Sequence, residues 1–452
     1  MEQVVIAGGG PTGLMLACEL RLGGADPVVL ERLAGPSGES RAGGIHARTM
    51  EVLDMRGMLE PFLAEGRRLP GGHFAGIPLD FSGLPTRYPF LLAILQRRIE
   101  RLLEGRARDL GVRLRREVEV TGLHPTADHV EIETTEGELT AEYVVGCDGG
   151  RSTVRKLAGI DFPGTPATMT AVLGDVTLDA PPPGPVFQRR TPFGNWSVLN
   201  FEPGWYRVIT NDFDTVADRD APITVADLRA SLERHAGTDF GLRDPRWISR
   251  YHDAARLAAR YRAGRVLLAG DAAHIHYPAG GQGLNTGVQD AVNLGWKLAA
   301  VLRGDQDQTL LDTYEVERRP VAERVLENTR AQTALTRPDE HTSALRSVVT
   351  GLIAHGDVNR SLSSMIAALD VRYPLPEGAG HHVPDLDLPD GSRLFSHLHD
   401  ARPVLLGDAA VPPHVRRVPY PGPPTLIRPD GHVAWVESLG AGALREAVDR
   451  WC

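Results

Sequence analysis

Three stretches carry residues whose types and spacing could do chemistry. The first is Gly8-Gly9-Gly10-Pro11-Thr12-Gly13, with glycines in the G-x-G-x-x-G spacing. In such a run the first glycine allows a tight turn and the second lets a pyrophosphate approach the backbone. The third lets a helix pack close to a strand. The helix N-terminus offers free N–H groups and a positive dipole end to that anion. Glu31 follows eighteen residues after Gly13, near the ~20 expected of an acid that binds ribose hydroxyls. The pattern predicts an adenine dinucleotide and leaves NAD and FAD both open.

The second stretch is Gly146-Cys147-Asp148-Gly149-Gly150, at the end of an apolar run. An acid at the C-terminal end of a parallel strand lies where a doubly wound sheet binds ligands. The plainer role for Asp148 alone is to cap a helix or a turn. The third stretch is Gly270-Asp271, followed by Pro278-Ala279-Gly280-Gly281-Gln282-Gly283 and a helix from Asn285 or Thr286 to Leu302. Asp271 at a strand end can accept hydrogen bonds from ribityl or ribose hydroxyls. The glycines leave room for a flat ring beside the backbone, and the helix N-terminus favours negative charge. A reduced flavin carries such charge near N1 and the C2 carbonyl, whereas a nicotinamide has no comparable need.

The elements that must position these residues follow from periodicity. Val4 to Ala7 and Pro27 to Leu30 read as buried strands, and Leu14 to Leu20 as a helix closed by Gly23-Gly24. Thr49 to Leu59 reads as one helix with Met50, Leu53 and Gly57 on a face, and Gln96 to Leu110 as another. Residues 162–261 differ in texture, with β-rich stretches and one helix from Val225 to His235. There Phe187, Phe193, Trp196, Phe201, Trp205 and Tyr206 are either core or the lining of an aromatic-ligand pocket. After the third stretch, helices run to Leu369. Residues 371–452 are rich in Pro, Gly and Asp, with an Asp430-Gly431 hairpin turn, and read as a small separate α/β unit.

The expected fold is therefore α/β. It comprises a discontinuous Rossmann-like dinucleotide domain (1–161 and 262–370), with 70–95 contributing to a mixed-sheet substrate domain at 162–261. At 452 residues, 42% apolar and 24% charged, the chain has the composition of a globular protein of two or three domains. A net charge of −9 and the lack of a basic tract argue against a nucleic-acid partner. No apolar stretch has membrane-spanning length, so a cytoplasmic location is the expectation. Cys18, Cys147 and Cys452 form no C-x-x-C pair, and no metal site is expected.

Together these motifs make the chain resemble the FAD-dependent aromatic hydroxylases of the p-hydroxybenzoate hydroxylase type. It is most similar to the polyketide hydroxylases of antibiotic pathways, angucycline-type and rifampicin monooxygenases included. Glu39-Ser40-Arg41, Ala47 to Val52, Gly72-His73-Phe74 and Arg428 to Trp435 carry the resemblance further. It implies FAD, with NADPH or NADH as transient reductant and O2 as co-substrate. Gly8, Gly10, Thr12 and Gly13 would meet the pyrophosphate, with Glu31 and Arg32 at the adenosine end. Arg41 and Gln96 would contact the FAD chain, Val120 would lie near the adenine, and Asp148 would face FAD and NADPH. Asp271 would hold the ribityl chain, and Pro278, Gly283, Leu284 and Asn285 would border the flavin ring.

The implied activity is hydroxylation of a polycyclic aromatic polyketide through a C4a-hydroperoxyflavin. Baeyer–Villiger oxygenation on the same scaffold, or a flavin- or ligand-binding protein without turnover, are the alternatives. Oxygen activation by the cofactor requires no side-chain acid or nucleophile, so no catalytic residue is named. His46, His73 and His274 are open to proton transfer or to structural roles. The family ends in a thioredoxin-like domain without redox cysteines, to which 371–452 would correspond in shortened form, and a homodimer is compatible with it.

Overall fold

The computed structural model describes residues 1–218 and 221–452. Strand β1 (Glu2–Ala7) runs into helix α1 (Pro11–Leu22), and β2 (Pro27–Glu31) follows beside it. Val4, Val5 and Ile6 are fully buried, as a strand covered on both faces requires. The expected Thr49–Leu59 helix is two helices, α2 (Ala47–Met55) and a short one at Leu59–Glu65. Gly57 does not sit on a helix face; at φ +63° it forms the turn between them. β3 (Arg113–Arg116) and β4 (Gly137–Gly146) complete this part of the sheet.

The intervening segment forms β5 (Thr170–Thr177), β6 (Val186–Thr191), β7 (Gly194–Glu202), β8 (Trp205–Asp212) and β9 (Arg243–His252), with α3 (Val225–Ala236) before the last. They make one antiparallel sheet in the order β6-β7-β8-β5-β9. Even-numbered residues such as Val176, Val208 and Trp196 pack in one cluster with Leu228 and Leu232 of α3. The odd-numbered residues of β5, β7, β8 and β9 occupy the other face. This corrects the pocket expectation for most of the aromatic residues. Phe187, Trp196 and Tyr206 belong to the α3-side core, Trp205 lies under Arg246, and Phe193 packs edge-on against His235. Only Phe201 lies against the dinucleotide fold, where a Cβ on Gly43 would strike its ring.

The chain then returns through β10 (Val266–Leu268) to α4 (Gln282–Leu302) and α5 (Asp312–Thr336). β10, β4, β1, β2 and β3 stand in that order and run parallel, so all three chemical stretches emerge at C-terminal strand ends. The hairpin Gly71–Phe74/Ile77–Asp80 is pinned at its turn, where Ala75 donates to Gln332 Oε1 at 2.8 Å. In the C-terminal part a four-stranded sheet is closed by α6 (Gly440–Trp451). It is not packed as a separate unit, because Leu394, Phe395, Leu398, Ile427 and Val433 belong to the same hydrophobic cluster as Val5 and Leu14.

Candidate functional site: three loops at the ends of β1, β4 and β10

Each glycine after β1 has its own geometric reason. Gly8 sits at φ +108°, and a Cβ there would collide with the Cys147 carbonyl. A Cβ on Gly13 would collide with the Gly8 carbonyl, which measures how tightly α1 packs on β1. A Cβ on Gly10 would meet nothing within 4 Å. That open space faces the uncapped N-terminus of α1, which is the cradle an oxyanion needs. Glu31 accepts from Gly9 N (2.7 Å) and Leu33 N (2.9 Å), so it shapes the glycine loop while remaining part-exposed. Arg32 is exposed, and Val120 is buried in the core at the start of its strand. Thr12 packs between Gly270 and Gly287: a Cβ on Gly270 would lie 2.6 Å from its Oγ1. It thereby joins the first stretch to the third.

Asp148 is a cap. Its Oδ2 accepts from Thr153 N (2.7 Å) and Val154 N (3.1 Å), and its Oδ1 from Ser152 Oγ (2.5 Å). Arg155, a residue no motif singled out, spans from Gly150 O (3.1 Å) to Ala272 O (2.8 Å) and so ties this loop to the turn after β10.

That turn, Gly270–Ala272, begins with Gly270 at φ +61° and leaves Asp271 exposed beside it. Beneath it lies a fully buried cluster that the sequence reading missed. Asp290 accepts from Gly270 N (3.2 Å), His274 Nε2 (2.7 Å) and Arg318 Nε (2.8 Å). Burial alone would raise the Asp290 pKa, but Arg318 and His274 hold it below the ordinary carboxylate range. The one available signal was an aspartate within an otherwise apolar helical stripe. His274 is structural in this arrangement.

α4 starts at Gln282, earlier than expected, because Gly280 and Gly281 (φ +71° and +67°) reverse the chain just before it. Gly283, Leu284 and Asn285 therefore occupy its first turn rather than a loop, and Pro278 is exposed ahead of it. Asn285 is buried; its Oδ1 accepts from His46 N (2.9 Å) and its Nδ2 donates to Gly281 O (2.8 Å). The 39–44 loop is gripped from both sides. Gln96 Oε1 accepts from Ala42 N (3.0 Å). Arg207 of β8, held bidentately by Asp175 (2.8 and 3.0 Å), donates to Arg41 O (2.8 Å) and to Ser40 O. The Arg41 side chain itself points outward and pairs with Glu39.

A family model described as an FAD binding domain matches residues 1–329. This chain belongs to that FAD-binding family. It is 49% identical to the 12-dehydrotetracycline 5-monooxygenase/anhydrotetracycline 6-monooxygenase of Streptomyces rimosus, over 99% of this chain and 98% of that one. The solved structure of OxyS anhydrotetracycline hydroxylase from Streptomyces rimosus superposes with a TM-score of 0.92, at 48% identity over 99% and 98% of the two chains. The structure of the Diels-Alderase PyrE3, of pyrroindomycin biosynthesis, also matches, with a TM-score of 0.90 and 40% identity over 100% and 99%. The protein is a flavoprotein monooxygenase, with FAD as cofactor and a reduced nicotinamide and O2 as co-reactants.

In this flavoprotein His46 is 2% exposed, and its Nε2 donates to Gly280 O at 2.7 Å. Nδ1 is consequently the bare nitrogen, and it has no hydrogen-bond partner among the described residues. Burial lowers the imidazole pKa to about 4, so His46 is neutral at physiological pH. Its ordinary pKa in the unfolded chain is about 6.5. Between those values the unfolded state binds more protons, so stability falls as pH falls. His46→Gln should lose about 2 kcal/mol less than the wild type between pH 7 and pH 5, read from urea unfolding at both pH values. Equal losses would remove His46 from the acid response.

Proposed function

We propose that this flavoprotein oxygenates a polycyclic phenolic polyketide, angucycline- or tetracycline-like in size, held between the flavin loops and the odd-numbered face of the β5–β9 sheet. One observation carries the reading. The dinucleotide cradle, the Asp271 turn and the α4 N-terminus open at one edge of the parallel sheet, and Arg207 bonds the β8 strand directly to the 39–44 loop beside them. The near-full-length likeness to an anhydrotetracycline 6-monooxygenase supports the substrate class.

The residues present fit FAD. Gly8, Gly10, Thr12 and Gly13 leave the open anion cradle at α1, and Glu31 and Arg32 stand at the adenosine end. Gln96 and the Arg41 backbone would border the FAD chain, the backbone at Val120 would lie near the adenine, and Asp148 would order the loop on the nicotinamide side. Asp271 is set to receive ribityl hydroxyls, while Pro278, Gly283, Leu284 and Asn285 offer the α4 N-terminus to the ring's developing negative charge. When bound, FAD supplies the chemistry: it takes hydride from NADPH or NADH and activates O2 for transfer to an electron-rich ring carbon. The chain's part is to orient ring against ring and to exclude water.

The same reading assigns 1–161 and 262–370 to the cofactor, 162–261 with 70–95 to the substrate, and 371–452 to a shortened thioredoxin-like domain. Need for reduced nicotinamide fits a cytoplasmic location, and no helix among the described residues is long and apolar enough to cross a membrane. Leu345, Val348 and Leu352 form an exposed apolar stripe that fits a homodimer, which sedimentation would test.

The purified protein should be yellow and oxidise NADPH slowly. A tetracyclic phenolic polyketide should accelerate that oxidation at least tenfold and gain one oxygen atom from ¹⁸O2. An unlabelled product of unchanged mass would overturn this substrate reading.

A further inference from the structure

Strand β8 presents Arg207, Ile209 and Asn211 on one face, two residues apart. The outer two are ties. Arg207 holds the backbone of the 39–44 loop, and Asn211 Oδ1 accepts from the Tyr277 hydroxyl (3.1 Å), just before Pro278. Asn211 is itself fixed, because its Nδ2 donates to Asn195 Oδ1 at 2.6 Å. The 39–44 loop, proposed to meet the FAD chain, and the loop entering Pro278, proposed to border the flavin ring, are thus fastened to a single strand, four residues apart. Ile209 lies between the fastenings.

Ile209 is only half-buried, and it packs into none of the hydrophobic clusters that absorb its neighbours Tyr206 and Val208. Its cross-strand partners are Leu173 on β5 and Ser197 on β7. Leu173 is buried yet likewise belongs to none of those clusters. Leu173 and Ile209 form a short apolar strip across the sheet, with Ser197 next in the row, and Arg207 and Asn211 flank Ile209 along β8. A planar aromatic ring is the ligand shape that such a strip fits, since it buries apolar area without leaving a polar group unpaired.

We infer that Ile209 is the specificity-determining residue of the substrate floor, setting how far a fused aromatic ring slides along β8 and therefore which carbon faces the cofactor. The inference rests on the function proposed above and adds the residue that selects the position oxidised.

The test uses full-length, FAD-loaded protein and anhydrotetracycline as probe. Ile209→Ala should raise KM roughly tenfold, as the loss of methylenes from an apolar pocket does. It should also increase the fraction of NADPH ending as hydrogen peroxide and shift the position hydroxylated. Ile209→Phe should oppose binding and cut the stimulated rate by a similar factor. Val208→Ala, which deepens no cavity on this face because Val208 packs under α3, should lower thermal stability and leave KM and product position unchanged. Ile209 variants with wild-type KM, peroxide fraction and product would overturn the assignment while leaving the enzyme's function standing. A wild-type flavin spectrum and NADPH oxidation that both ignore the polyketide would overturn the functional reading, and with it the floor.

Discussion

Gly8→Ala is expected to give a colourless protein that retains no FAD through gel filtration. Two costs add at this position. A non-glycine residue held at positive φ costs about 1–3 kcal/mol. The new methyl group would also overlap the Cys147 carbonyl, which belongs to the backbone emerging from the neighbouring strand β4 and cannot rotate away. Relief requires β1 and β4 to separate where they meet at the sheet's centre, and there Val4, Val5, Ile6, Val144 and Val145 are fully buried. Gly10→Ala separates the cradle from the fold. Its backbone (φ −78°, ψ −177°) suits any residue, and its Cβ would touch no protein atom. That variant should unfold at the wild-type urea concentration yet bind FAD at least tenfold more weakly, read from flavin fluorescence on titrating apoprotein. Wild-type FAD affinity in Gly10→Ala would show that the pyrophosphate does not cross this open space.

The contrast between these two glycines shows what was legible in the sequence. A strand, a glycine loop, a helix and an acid are local in the chain, and each glycine's duty follows from its place in the spacing. The strand-end position of Asp271 was legible for the same reason. Asp148 was readable in both its roles, and geometry shows the capping one. What stayed hidden depends on burial and on which faces meet. His274 and Arg318 lie 16 and 28 residues from Asp290, on either side of it, and the three become a cluster only when α4, α5 and the Gly270 turn are stacked. The aromatic residues were readable as core or pocket lining, but not that α3 would cover Trp196 and Tyr206, leaving Arg207 and Asn211 to bond loops on the other face. The two left-handed glycines before α4 moved its start because two successive reversals replace the side-chain cap that a sequence reading looks for.

Arg428→Met should be the most destabilising of the side-chain truncations away from the cofactor loops. Arg428 is fully buried. Its Nη1 and Nη2 reach Glu317 Oε1 and Oε2 at 2.7 and 2.8 Å, and its Nε reaches Asp430 Oδ1 at 3.1 Å. Lys297 Nζ donates to the same Glu317 at 2.7 Å, and Trp296 Nε1 to Asp430 at 3.3 Å. Arg48 and Arg56, from α2 and the turn after it, donate to the carbonyls of Asp430 and Pro429. The Arg428–Asp430 turn, in sequence only a hairpin signal, is thus the plug through which α2, α4 and α5 hold the C-terminal sheet. Removing the guanidinium leaves two buried carboxylates facing one ammonium, and burial already lowers the Lys297 pKa to about 8. Breaking such a cluster costs about 3–5 kcal/mol, seen as a lower urea midpoint and earlier proteolysis within 371–452. The double variant Arg428→Met/Glu317→Gln removes one orphaned charge and should recover part of that loss. A single variant within about 1 kcal/mol of wild type would mean that the apolar cluster around Phe395 and Ile427, rather than the ion lattice, holds the C-terminal segment in place.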